Sequence, residues 1–359
     1  MRTHVGEPSG NCDSRDLHKP DCVPDEEPVA KLLKWYHRCQ FGSVSSATIC
    51  IAVSACLIIQ PDWLAPVILV PAWCWLSSGL LLAIAGFCRN QKRRFAVILL
   101  LWAVFAGLFV EEARSLFRVQ SLSPPEWRAF HESGVGIRVV SLNCNVGQAR
   151  CVEEVKAWMP DVVLLQESPG SRQLESLAET LFGPEGTFLY GGDVSILTRG
   201  ELRPRHVDPA SHFVHAEVVS SSGVVAEVVS VRLAPPVPRL DFWTPGFWSD
   251  HREKRIEHRE QVLELVQSVQ NIPAANRLIV GGDFNSPPND DALASLRPLL
   301  SDTFKSAGRG WGATGTNEYP LFRVDQVWVS NGFRAESVIA QKTHFSDHRM
   351  VVCDLIVEK

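Results

Sequence analysis

The stretch Leu278 to Pro288 reads Leu-Ile-Val-Gly-Gly-Asp-Phe-Asn-Ser-Pro-Pro. An apolar, β-prone run enters it, two glycines let the backbone turn, and two prolines stop any further ladder. Residues i and i+2 of a strand share a side, so Asp283 and Asn285 face one spot while Phe284 turns inward. A carboxylate beside a neutral amide suits the handling of a proton or an oxyanion. By itself, an Asp-x-Asn is also the ordinary Asx turn that closes a buried strand.

Four more stretches have the same form, an apolar run ending in acids, amides or histidine. They are Val139–Asn145 with Asn143 and Asn145 on one face, Val162–Glu167, Arg323–Val329 with Asp325, and Ser346-Asp347-His348 before the last strand. Taken singly, Glu167 reads as a solvated strand end, Asp325 as an edge or turn residue, and Asp347-His348 as a cap. Repetition points the other way, because strand ends are where open sheets gather ligand sites.

The elements that must position these residues lie beyond about residue 131. Strand-like apolar runs lie at Ile137–Leu142, Val162–Leu165, Val194–Leu197, His215–Val219, Val224–Val231, Leu278–Val280, Val324–Val329 and Met350–Ile356. Helical patterns cover Cys151–Trp158, Gln173–Leu181 and Arg252–Gln270. Strands outnumber helices and many are joined by short turns, which fits mixed sheets covered by helices, an α+β class.

Upstream the chain changes character. Residues 1–40 carry a tail whose first thirty residues are rich in Asp, Glu, Pro, Ser and Gly, the composition of a disordered segment. Three runs then lack Lys, Arg, Asp and Glu: Phe41–Ile59, Leu64–Cys88 and Phe95–Val110. Runs of about 17–25 such residues span a bilayer, so residues 41–110 are expected to form three transmembrane helices, with 111–134 a linker and 135–359 the globular domain. Lys31, Lys34 and Arg38 precede the first run, and Arg89, Lys92, Arg93 and Arg94 separate the second from the third. The connection at Pro61-Asp62 holds no basic residue. The positive-inside rule then places the N-terminus in the cytoplasm and the globular domain outside it, although Arg114 and Arg118 run against this.

In order, Ser-Leu-Asn-Cys-Asn, Leu-Gln-Glu, Gly-Asp-Phe-Asn, Arg-Val-Asp and Ser-Asp-His resemble the endonuclease/exonuclease/phosphatase superfamily. These metal-dependent phosphoesterases include pancreatic deoxyribonuclease, abasic-site endonucleases, inositol-phosphate phosphatases and neutral sphingomyelinases. The resemblance covers about Ile137 to Val357. It implies a four-layer α/β sandwich, two mostly antiparallel sheets face to face with helices outside, here preceded by the three transmembrane helices. It also implies a magnesium ion, with manganese as the alternative, held by Glu167 with Asn143 nearby, Asp347 completing the acidic cluster and Asn145 where many members have an acid. Asp283 would orient or deprotonate the attacking water, with Asn285 holding phosphate or the Asp. His348 would donate to a phosphoryl oxygen, and Asp325 would fix its tautomer. Magnesium prefers hard oxygen ligands and keeps several waters, so one or two carboxylates hold it.

One position departs from the pattern. Where many members have Val-His-Leu, this chain has Val231-Arg232-Leu233. Arg232 can clamp phosphate, even bidentately, but cannot shuttle a proton at neutral pH. The following segment, Pro235 to Arg259, exceeds a usual connection and carries Trp243 and Trp248, which read either as packed aromatics or as contacts for substrate or membrane.

The whole chain has a net charge of −5. Residues 131–359 hold 22 Lys and Arg against 29 Asp and Glu, about −7, which disfavours duplex nucleic acid as a partner. The expected function is hydrolysis of a phosphodiester or phosphomonoester by a membrane-anchored enzyme. An extracytoplasmic nuclease on DNA or RNA and a catalytically inactive binding module of the same fold are the alternatives.

Overall fold

The computed structural model describes residues 26–87, 91–119, 122–221, 223–273 and 277–358. The first twenty-five residues of the expected tail, and Arg89 of the second basic cluster, lie outside the described residues.

Four helices open the described chain: α1 (Glu26–Ile59), α2 (Ala65–Leu69), α3 (Ala72–Ala85) and α4 (Lys92–Phe109). Small residues let α1, α3 and α4 approach closely. A Cβ on Gly79 would meet the Trp102 ring at 1.8 Å. The Trp102 indole donates to Ser46 Oγ at 3.0 Å, and Ser46 donates to the Gly79 carbonyl at 2.7 Å. The outside of this bundle is apolar, with Ile58 68% and Leu108 66% exposed.

The expectation of three spans is reduced here. Among the described residues one helical stretch, Gln40–Ile59, is long and apolar enough to cross a membrane. The pair Asp62–Leu69 and Ala72–Ala85 meets the same test only together, across a 76° bend at Val70-Pro71. The third run is only sixteen residues long, and its helix begins with Lys92-Arg93-Arg94. Charge at the start of a short helix leaves too little uninterrupted apolar length.

Helices α5 (Glu112–Ser115) and α6 (Pro124–Glu132) lead into a curled mixed sheet. Its strands are β1 (Gly136–Asn143), β2 (Val162–Gln166), β3 (Gly186–Tyr190), β4 (Val194–His206), β5 (Phe213–Ser220), β6 (Val225–Arg232), β7 (Leu278–Asp283), β8 (Ser301–Asp302), β9 (Asp325–Val329), β10 (Phe333–Gln341) and β11 (Met350–Val357). The order is β10-β11-β1-β2-β4-β5-β6-β7-β9-β8, with β3 added beside β4. Only β1–β2 and β6–β7 run parallel.

Strand β4 joins the two halves. Its first part pairs with β2 and β3, and its second part, from Gly200, pairs with β5. Gly200 has φ +121°, and a Cβ there would sit 2.3 Å from the Val219 carbonyl, so the curl needs glycine at this point. A core with Val139, Leu164, Ile196, Val228, Ile279 and Val351 draws on both halves. Helices α7 (Ala149–Glu154) and α8 (Ser171–Phe182) cover one outer face, and α9 (Pro245–Val269) the other. The short α10 (Thr303–Ala307) closes the edge near β10.

The segment Pro235 to Arg259 differs from the expected long loop, because it is helical from Pro245 onward. Thr244 accepts from the Phe247 amide and Pro245 occupies the first turn, a start signal that outweighs the surrounding aromatics.

Candidate active site

Register alone assembles much of the site. In the parallel pairs, Asn143 lies opposite Gln166 and Arg232 opposite Asp283, and across the antiparallel pair Asp283 lies opposite Asp325. The curl then lays the end of β1 against the end of β7. Asn143 Nδ2 donates to Glu167 Oε1 at 3.3 Å and to Asp283 Oδ2 at 3.2 Å, tying the two halves together.

Both glycines before Asp283 are needed. A Cβ on Gly281 would meet Leu164 at 2.6 Å, and one on Gly282, whose φ is +150°, would meet the Val231 carbonyl at 1.9 Å. Four other site residues lack that excuse. Asn145, Val146, Glu167 and Asn285 have φ of +44°, +57°, +46° and +47°. Each costs roughly 1–3 kcal/mol, and such strain collects where side chains must be aimed. The strain at Val146 aims its amide, which donates to Glu167 Oε2 at 2.6 Å.

Asp283 is buried, its Oδ1 receiving the Asn285 amide at 3.0 Å, while Asn285 Nδ2 donates to the Leu233 carbonyl at 2.9 Å. Burial and then the Asp325 charge push its carboxyl up to about 6, with His348, the Asn285 amide and Asn143 opposing. His348 Nδ1 lies 2.8 Å from Asp325 Oδ2. Burial pulls the imidazole down, but Asp325, Asp283 and Asp347 outweigh it and raise it to about 10. The ring is therefore an imidazolium at neutral pH. Glu167 is pushed up by burial but held below the usual carboxylate range by the Val146 amide, Arg232, Asn143 and His348.

Arg232 is held through both Nη atoms, while its Nε is buried without a hydrogen-bond partner. Its guanidinium donates to Glu167 Oε1 at 2.7 Å and to Asp193 Oδ2 at 2.9 Å. It lines an open cleft of about 640 Å³ with Glu167, Ser168 and Asp193.

The structure thus brings together Asn143, Glu167, Arg232, Asp283, Asn285, Asp325 and His348. It leaves others at the margin. Asn145 turns its side chain outward and contributes a backbone amide to Asn143 Oδ1 at 3.0 Å. Asp347 is exposed and acts on His348 through charge. Trp243 is 73% exposed, packs edge-on against Phe242, and makes no recorded bond with the acidic cluster. Trp248 donates to the Phe242 carbonyl at 2.8 Å, which makes it a brace for the loop.

Three residues escaped the sequence reading. Asp193 partners Arg232, and its Gly-Gly-Asp context before β4 is the signal that could have found it. Buried Thr314 accepts the Asp325 amide at 3.0 Å. Ser346 donates to the Asn143 carbonyl at 2.7 Å and accepts the His348 amide at 3.0 Å. Thr314 is a loop hydroxyl with no pattern around it, and Ser346 opens the Ser-Asp-His stretch, where only its two followers were given roles.

The model of the endonuclease/exonuclease/phosphatase family matches residues 140–348, and the chain belongs to that family. Solved structures include similar folds. An endonuclease/exonuclease/phosphatase from Bacteroides vulgatus is 16% identical with a TM-score of 0.48, covering 62% of this chain and 99% of its own. The mannosyl-6-phosphatase of Bacteroides thetaiotaomicron is 15% identical with a TM-score of 0.45, covering 61% and 99%. D. rerio TDP2 complexed with a single-strand DNA product is 15% identical with a TM-score of 0.46, covering 61% and 98%. No curated protein matches.

Proposed function

We propose that this chain is a divalent-metal-dependent phosphoesterase, acting on a phosphodiester or phosphomonoester. One observation carries the reading: Asn143 bridges Glu167 and Asp283 while a His348–Asp325 pair stands beside Asp283. Asp283, Asp325 and His348 offer ligand atoms within 4.8 Å of one another. An imidazolium has no free lone pair, so that trio suits proton and charge handling better than a metal. The remaining donors fit a hard cation. Glu167 supplies a carboxylate oxygen and Asn143 an amide oxygen, magnesium-type ligands, with exposed Asp347 nearby acting through its charge. Asp325, paired with His348 through Oδ2, keeps its Oδ1 buried without a hydrogen-bond partner opposite Asp283.

A bound divalent cation would offset charge on the phosphoryl oxygens. The chain's own residues do the rest. Asp283, anionic above about pH 6, accepts the proton of the attacking water, and the Asn285 amide and Asn143 aim its two oxygens. His348 donates from Nε2 to the phosphoryl group, with Nδ1 held by Asp325. Arg232 sets a fixed positive charge where a mobile proton donor would stand in relatives that have histidine. The two halves of the curled sheet, with helices over each outer face, support a four-layer sandwich.

The apolar outside of the bundle supports anchoring in a membrane. The turn after α1 and the segment after α4 both touch the domain, through Arg255–Asp62 and Arg323–Glu111, so both belong on its side of the bilayer. With Lys31, Lys34 and Arg38 inside and Gln40–Ile59 crossing, that side is extracytoplasmic.

The test is hydrolysis of bis(p-nitrophenyl) phosphate by the full-length protein with magnesium and with chelator. Metal-stimulated turnover supports the reading. Its absence at every divalent metal tried favours the inactive module, for which the Arg232–Glu167 pair is the specific observation. Nicking of supercoiled plasmid separates a nuclease.

A further inference from the structure

A cavity of about 520 Å³ lies where the helical bundle meets the domain, and none of the site residues named above lines it. Its walls are of two kinds. Leu57, Ile68, Leu108 and Phe109 give an apolar side built from α1, α2 and α4. A charged side includes Arg114, Lys305, Glu111 and Glu112, and Asp290, Arg297 and Arg323 also line the cavity.

The charges behind that side do not balance. Arg323 donates to Glu111 Oε2 at 2.6 Å and to Asp302 Oδ2 at 2.6 Å, one guanidinium against two carboxylates. Glu111 Oε1 is buried with no hydrogen-bond partner. A buried anionic oxygen left unmatched is costly, and a cationic donor would relieve it. Lys305, at the same cavity, is exposed and makes no ion pair among the described residues. A simple anion would answer Lys305 and Arg114 but face Glu111 and Glu112. A simple cation would do the reverse. Neither would fill the apolar wall, whereas the volume suits a head group with the start of its chains.

We propose that this cavity binds one phospholipid with a zwitterionic head group. Its ammonium lies against Glu111 and Glu112, its phosphate against Lys305 and Arg114, and its chains begin among Leu57, Ile68, Leu108 and Phe109. The lipid is a bound ligand of the junction, separate from the phosphate ester hydrolysed at Asp283. The proposal stands whether or not that hydrolysis is found.

The test titrates the full-length protein in detergent with dihexanoyl phosphatidylethanolamine, dihexanoyl phosphatidylglycerol and free phosphoethanolamine, following the thermal midpoint. A saturable rise is expected with the first lipid, at least about tenfold tighter than with the other two, a difference of about 1.4 kcal/mol. Glu112→Gln and Lys305→Met should each weaken it about tenfold while turnover of the chromogenic diester is kept. Glu111→Gln is avoided because it also breaks the Arg323 pair. Equal affinity for phosphatidylglycerol or for the bare head group overturns the proposal, as does a response that neither variant changes.

Discussion

Glu167 is where charge matters and bulk does not. Its carboxylate holds Arg232, the Val146 amide and Asn143 in one cluster. Glu167→Gln keeps size but removes that charge, so turnover of bis(p-nitrophenyl) phosphate should fall by roughly 100-fold or more. The thermal midpoint should change little, since a strand-end side chain adds little to the core. Wild-type turnover in this variant would end the assignment. The proton-handling pair makes its own prediction. Activity needs Asp283 anionic and His348 cationic, so it should rise through about pH 6 and fall through about pH 10. Asp325→Asn removes the strongest support of the imidazolium and should bring the alkaline limb down towards the ordinary histidine range, about 6.5. For stability the two groups act in the same direction but in different pH windows. His348, raised above its unfolded value, stabilises the fold fully below about pH 6.5 and loses that contribution as pH rises through about 10. Asp283, also raised, favours the fold when protonated, so its contribution is lost as pH rises through about 6.

Between elements, one buried cation joins the bundle to the domain. Arg255 on α9 is 3% exposed and reaches Asp62 Oδ1 at 2.5 Å, Asp290 Oδ1 at 2.7 Å and the Gln60 carbonyl at 2.8 Å. Asp290 in turn accepts from Ser286, the residue after Asn285. Arg255→Met leaves the buried Asp290 carboxylate without its cation, while Asp62 keeps Arg259, and should cost about 3–5 kcal/mol, read from denaturant unfolding. A loss under about 1 kcal/mol would mean that water reaches this junction and screens it. The loop before α9 predicts something different. Trp243 is solvent-facing and Trp248 braces it, so Trp243→Ala should leave stability and small-ester turnover unchanged while raising the Michaelis constant for a membrane-borne or bulky substrate. Equal loss with both substrates would make the tryptophan a packing residue.

For the whole molecule the prediction concerns side. Both the α1–α2 turn and the segment beyond α4 contact the sheet domain. A C-terminal reporter that works only outside the cytoplasm should therefore be active, and one that fluoresces only inside should be dark. The reverse pattern would place the domain, and its substrate, in the cytoplasm.

The strand ends were legible because apolar β-prone runs and Gly/Pro punctuation are local properties of the chain. β1, β2, β5, β6, β7, β9 and β11 fall where those runs put them, and site acids and amides sit at the ends of β1, β2, β7 and β9. The sequence also marked Arg232 as a departure. Two of the strands it missed, β3 and β10, are poor in alternation, and tertiary pairing with β4 and β11 holds them. Only the folded chain showed that Arg232 is spent on Glu167 and Asp193, that Asn145 and Asp347 face outward, and that α9 begins at Pro245. Partner choice for a side chain depends on what the sheet's curl brings near it, over separations such as the 140 residues between Asn143 and Asp283. Strand periodicity determines which residues stand at the rim. The bend at Gly200 and the packing of β1 on β7 determine which of them meet.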